Sequence, residues 1–119
     1  VKIAVTADNN DLDASIHPRF GRASHFIIYD TENEDFTALD NRQQLDAPQG
    51  AGIQAADTVI RSGANALILR HCGPKAFRVL DAANLAVYNT RANTVREALE
   101  LFREKKLERA RSADMEAHG

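Results

Sequence analysis

Cys72 is the single cysteine of the chain and its sharpest chemical feature. It lies in Leu69–Leu80 (LRHCGPKAFRVL), which contains Arg70, His71, Lys75 and Arg78 and no acid. Gly73-Pro74 follows it directly, and proline suits the first turn of a helix. A helix N-terminus among cations favours the thiolate, which binds soft metals or attacks an electrophile. The alternative is a small, inert, partly buried cysteine. A second basic segment, Ala14–Tyr29 (ASIHPRFGRASHFIIY), carries His17, Arg19, Arg22 and His25, again without an acid. Between the two, residues 30–46 hold six acids against one arginine. A chain of net charge −2 has therefore separated its charge, and the basic segments form an anion site if they meet in space. The simpler alternative is a set of solvated surface cations. We expect the Arg19–Arg22 and Arg70–Lys75 loops on one edge of a sheet.

Other chemistry-bearing patterns are weaker. Asp8, Asp11 and Asp13 have the spacing D-x-x-D-x-D, without the glycine and terminal glutamate of a calcium loop, and read as turn formers. Gly50-Ala51-Gly52 precedes a helix but lacks the Gly-Lys-Ser/Thr ending of a phosphate loop. No two of His17, His25, His71 and His118 have the spacing that places a ligand pair on one helix face. The two tyrosines and five phenylalanines fit packing rather than a base-stacking platform.

The elements that must position these residues alternate as βββαβαβα. Strands are expected at Val1–Val5, Ser24–Tyr29, Phe36–Leu39, Ala66–Leu69 and Leu85–Tyr88, the second and third forming a hairpin. Residues 41–50 read as a loop. A helix is expected over Ala51–Ser62, with Ile53, Ala56, Val59 and Ile60 inward and Gly63 as its stop. A second begins at Pro74, with Phe77, Leu80 and Ala83 inward. Thr94-Val95-Arg96-Glu97 is a capping box that opens a third, with Val95, Ala98, Leu99 and Phe102 as its stripe. The 119 residues, 44% of them hydrophobic, suit one domain with a real core. Residues 1–107 are expected to be ordered and 108–119 to form a loose tail. One cysteine excludes an internal disulfide framework, and no apolar run approaches a membrane span. A secretory signal is not evident, so a cytoplasmic location is expected, and the net charge does not suit nucleic acid.

Several segments carry a family resemblance: Ala7-Asp8-Asn9, Ile16-His17-Pro18-Arg19-Phe20-Gly21-Arg22-Ala23, Phe26-Ile27-Ile28-Tyr29-Asp30, Gly50-Ala51-Gly52-Ile53-Gln54-Ala55-Ala56, Gly73-Pro74-Lys75-Ala76-Phe77 and Thr94-Val95-Arg96-Glu97-Ala98-Leu99. In this order, over about 105 residues, they resemble the dinitrogenase iron–molybdenum cofactor biosynthesis family, of the NifX and NifB C-terminal-domain type. The single domain is also similar to the family's orange-protein branch. The resemblance implies an α/β, ribonuclease-H-like three-layer fold, with a mixed five-stranded sheet and flanking helices. It implies a non-catalytic carrier or scaffold for a metal–sulfur cluster, either molybdenum–copper–sulfide or iron–molybdenum–sulfur. His17, Arg19, Phe20, Gly21 and Arg22 fall on the family's phenylalanine-glycine-arginine loop, and Gly73, Pro74 and Lys75 on its helix start. Many relatives have a glycine-rich turn where this chain has Arg70-His71-Cys72.

The expected cluster-binding residues are therefore His17, Arg19, Phe20, Gly21, Arg22, Arg70, His71, Cys72, Gly73, Pro74 and Lys75, with Cys72 and His71 as metal ligands. Phe20 and Phe77 are expected to shield the cluster from water. The expected partners are the cluster and an ATPase or cofactor-assembly protein, with no nucleic acid and no membrane, the chain being a monomer or weak dimer. Two alternatives stay open. One is a metal-independent regulatory module that docks a partner through the acidic 30–46 stretch or the basic tail. The other is a metal-dependent hydrolase of ribonuclease-H-like fold built on Asp8, Asp11 and Asp13.

Overall fold

A computed structural model of the chain describes residues 1–41 and 50–111. Most of the 41–50 loop, Asp46, His118 and the end of the tail lie outside the described residues. The elements run β1 (Lys2–Ala7), a 3-10 turn (Phe20–Arg22), β2 (His25–Asp30), β3 (Asp35–Asp40), α1 (Ala51–Arg61), β4 (Ala66–Leu69), α2 (Pro74–Ala82), β5 (Ala86–Asn89), α3 (Val95–Arg103) and β6 (Glu108–Arg109). No helix among them is long and apolar enough to cross a membrane.

The sheet order is β3-β2-β1-β4-β5-β6. β1, β4 and β5 run parallel, while β1–β2, β2–β3 and β5–β6 are antiparallel. The chain must cross over to place β4 beside β1 and β5 beside β4, and α1 and α2 are those crossovers. Side-chain alternation then divides the core in two. Ala4, Phe26, Ile28, Leu67, Leu69 and Val87 face α1 and α2, meeting Ala55, Ala56, Val59, Ala76 and Leu80. Ile3, Val5, Ala7, Ile27, Ala66 and Ile68 face α3, meeting Val95 and Ala98. The result is three layers, two helices on one face and one on the other.

Four details differ from the sequence reading. The sheet has six strands, because β6 pairs Tyr88 with Arg109 and Asn89 with Glu108. The tail therefore stays with the sheet past Leu107, and the Ala110 N–H donates to the Val87 carbonyl at 2.7 Å. β5 begins one residue late, since the Leu85 N–H is spent on the Leu80 carbonyl at the end of α2. α1 is rotated: Ala51, Ala55, Ala56 and Val59 are buried, while Ile53 is 39% exposed. In α2, Ala76 and Leu80 are buried and Ala83 is exposed. Ala83 lies past the end of α2, as its C-cap, while the α1 shift has a packing cause. α1 and α2 approach each other closely through small side chains, and a Cβ on Gly52 would lie 3.3 Å from the Ala76 Cβ.

Candidate functional site

The two basic loops meet at the carboxyl ends of β1 and β4. Arg19 and His71 form an isolated parallel bridge, and the Phe20 N–H donates to the His71 carbonyl at 3.1 Å. The 3-10 turn then runs into the start of α1. A Cβ on Gly21 would stand 2.8 Å from both the N and Cα of Gly52, so only glycine allows this approach. Gly52 in turn touches the first turn of α2 through Ala76. The 3-10 turn, the N-terminus of α1 and the N-terminus of α2 are thus one contiguous surface, beside the carboxyl ends of parallel strands where open α/β sheets take ligands.

Both helix starts are open. The residue before α1 is Gly50, in left-handed conformation at φ 79°, and the residue before α2 is Gly73. Neither provides a side-chain cap, and neither helix has an acid in its first turn. Among the described residues, nothing takes their first N–H groups, and these with the positive ends of the dipoles are left for a ligand or solvent. The cations around them are Arg19, Arg22, His71 and Lys75, all exposed. His17 is half-buried and orders the loop, its Nδ1 accepting the Arg19 N–H at 2.9 Å.

Three expected site residues stand elsewhere. Phe20 is 2% exposed and packs against Phe26 with ring centroids 5.5 Å apart, so it anchors the loop from beneath and shields nothing from water. Arg70 follows Leu69, which faces α1 and α2, so alternation turns its side chain to the α3 side. There its Nη2 donates to the Ala92 carbonyl at 2.6 Å, away from Lys75. Cys72 is 3% exposed and belongs to the α1/α2 core, with Sγ 3.4 Å from the Gly73 carbonyl. It lies under the site rather than at its mouth. Phe77 packs half-buried against the same core.

The Asp8–Asp13 loop is a turn, as its composition implies. Asp11 Oδ1 accepts the Asp13 N–H at 2.8 Å, and Asp13 pairs with the Arg96 Nε at 2.9 Å. The Arg96 hydrogen bond holds the Asp13 carboxyl below its usual range. Among the described residues, no three His, Cys, Asp or Glu side chains are grouped to hold a metal ion. Sequence reasoning missed Gly52 as the partner of Gly21, although the small-residue run Gly50-Ala51-Gly52 was its signal.

The model of the dinitrogenase iron-molybdenum cofactor family matches residues 1–105. The chain belongs to that family. The apo orange protein from Desulfovibrio gigas has a similar structure, with a TM-score of 0.92, 36% identity and 96% of each chain covered. A Thermotoga protein assigned to NifB aligns with a TM-score of 0.80, 33% identity and 91% of each chain covered. An uncharacterised protein of Methanocaldococcus jannaschii is 32% identical over 114 residues, covering 92% of this chain and 91% of its own length.

Proposed function

We propose that this protein binds and carries an anionic metal–sulfur cluster or cofactor precursor at the junction of the 3-10 turn with α1 and α2, without catalysing a reaction on it. The observation that carries this reading is the pair of adjoining, uncapped helix N-termini ringed by exposed cations. Sulfide-rich clusters bring their own soft ligands and a net negative charge. They need hydrogen-bond donors and countercharge more than they need protein thiolates. Arg19, Arg22 and Lys75 supply charge, and the amides of Gly52, Ile53, Lys75 and Ala76 supply donors.

The resemblance to the orange-protein branch, which is associated with a molybdenum–copper–sulfide cluster, is our ground for taking that cluster rather than iron–molybdenum–sulfur as the cargo. His71 is the exposed ligand candidate for a soft metal. Cys72 supports the loop from within the core, and Cys72→Ser is expected to retain the cluster with its absorption bands unchanged. Shifted bands or faster loss of the cluster in that variant would make Cys72 a ligand. The order β3-β2-β1-β4-β5, antiparallel only at β2, fits a ribonuclease-H-like class extended by β6. The test of the function is metal analysis with a visible spectrum of protein purified from its native host. Molybdenum and copper with sulfide charge-transfer bands are expected. Native protein free of metal and colour would overturn the reading.

A further inference from the structure

The α3 face of the sheet carries a second, separate feature. α3 packs on β1 and reaches β5 through Phe102, whose ring meets Tyr88 edge to face at 5.1 Å. Beside the helix lies a groove of about 690 Å³. Tyr29 on β2 and Tyr88 on β5 both line it, three strands and about 14 Å apart.

Its charges are the informative part. Six charged groups line the groove: the Val1 ammonium, Glu34, Arg96, Glu100, Arg103 and Lys105. Arg96 is engaged by Asp13 at 2.9 Å, and Glu100 lies in its field. The Val1 ammonium lies in the field of Asp30. That carboxyl is held below its usual range first by the Glu32 N–H, with the Asn33 N–H, the Val1 ammonium and Lys2 adding to it. Glu34, Arg103 and Lys105 are left, and none has an ion-pair partner among the described residues. The acid stands at the β2–β3 end of the groove and the two bases at the α3 end, so they cannot pair within one chain.

Glu34 and Lys105 also take left-handed backbone, at φ 54° and 60°, where glycine or asparagine is favoured. Charged side chains are thus kept at two strained turns, one at each end of the groove.

We propose that this groove is the interface of a two-fold symmetric dimer of the chain. The axis lies in the plane of the face, midway between the two ends and at right angles to the line joining them. That rotation carries Glu34 of one copy onto Arg103 and Lys105 of the other, and makes the contact twice, as a closed interface of like patches requires. Asp30 offsets the Val1 ammonium at the same end, so Glu34 remains for the incoming bases. The end of each α3 also covers Val1 of the other copy. Val1 is 55% exposed, one of two large hydrophobic residues left in solvent among the described residues. Tyr29, Tyr88 and Leu99, half-buried in one chain, make the middle of the interface. A modest apolar patch rimmed by charge gives a weak dimer of the transient class. The cluster site stays open in it, being formed on the α1/α2 side of the sheet.

Sedimentation equilibrium of the full chain, with amide shifts followed by NMR on dilution, tests the proposal. The wild type should dimerise below about 1 mM, with dilution shifts at residues 29–34, 88 and 99–105. Glu34→Lys, and separately Arg103→Glu with Lys105→Glu, should each weaken association on the order of twenty-fivefold, two symmetric contacts at about fivefold each. All three side chains are exposed, and melting temperatures check that the variants fold. An equimolar mixture of the two variants should recover dimers, because each then meets its complement at both contacts. A chain that stays monomeric at about 1 mM, dilution shifts that fall elsewhere, or a mixture that associates no better than either variant alone overturns the proposal.

Discussion

The helix starts of this protein fall into two kinds. α3 begins with Thr94, whose side chain accepts the Glu97 N–H at 3.2 Å, while the Glu97 carboxylate reaches back to the Asn93 N–H at 3.4 Å. Among the described residues, α1 and α2 begin with a glycine and no side-chain cap. A chain able to cap one helix fully has left two adjoining ones open, and has put basic loops without acids around them. Caps satisfy orphan N–H groups in the absence of any partner, whereas open ends leave the same groups for a ligand. On the proposed function, that difference separates an end that serves stability from two ends that serve binding, and it can be broken experimentally.

The largest effect is expected from closing an open end. Gly73 has φ −73°, and a Cβ there would meet nothing within 4 Å, so Gly73→Asp is sterically free. The new carboxylate would cap α2 and place a negative charge in the site. Like charges about 5 Å apart at an effective dielectric near 20 repel by roughly 3 kcal/mol, about two-hundredfold in affinity. Titration with tetrathiomolybdate and copper(I) should show this loss while the melting temperature holds or rises. Gly73→Asn, a cap without charge, should lose far less. Equal uptake by Gly73→Asp and wild type would remove α2 from the site.

Next comes the countercharge. Arg19→Gln with Arg22→Gln should weaken uptake by about 2 kcal/mol in total, close to thirtyfold, since charge-assisted contacts of about 1.5–3 kcal/mol are reduced by solvent at exposed positions. The loss should shrink at high salt. Thermal stability should change by no more than about 1 kcal/mol, the scale of an exposed ion pair, because both side chains are exposed and the buried Phe20 holds the loop.

The opposite pattern is expected at α3. Thr94→Ala should cost about 1 kcal/mol of stability in a denaturant titration and leave cluster uptake untouched. A stable Thr94→Ala variant with impaired uptake would erase the contrast between the helix starts.

The smallest effect concerns Asp13, which ties the Asp8–Asp13 loop to α3 through Arg96. Its folded carboxyl is more acidic than an ordinary aspartate, owing first to the Arg96 hydrogen bond. A depressed carboxyl stabilises the fold above its unfolded pKa and loses that contribution as pH falls through the folded value. Asp13→Asn should therefore be slightly less stable than wild type at pH 7, and the gap should close below 3.8. A constant gap across that range would assign the effect to the turn rather than to the ion pair.

Much of this arrangement was legible in the residues. The capping box at Thr94, the glycine starts of α1 and α2 and the two acid-free loops are all local patterns, and local chemistry fixes their meaning. The loops do meet, at Arg19 and His71. What stayed hidden depended on which face a side chain takes. An aromatic between two arginines reads as a ligand cover, yet the close approach of Gly21 to Gly52 turns Phe20 inward. Arg70 shares its segment with Lys75, but the two-residue period of β4 sends it to the opposite side. Ile53 reads as core, but an alanine-lined contact between α1 and α2 leaves it in solvent. β6 is a Glu-Arg pair with no hydrophobic signature, and only the free edge of β5 gives it a place.

The most direct measurement is an amide-resolved NMR titration of the apo-protein with copper(I) and tetrathiomolybdate. Cargo held at the open helix starts should shift the amides of residues 19–22, 51–53, 71–73 and 75–76 together, saturating at one common affinity, with Thr94–Glu97 unmoved. Saturable shifts centred on α3, or no saturation at residues 51–53 and 71–76, would contradict a cluster site at the junction of α1 and α2.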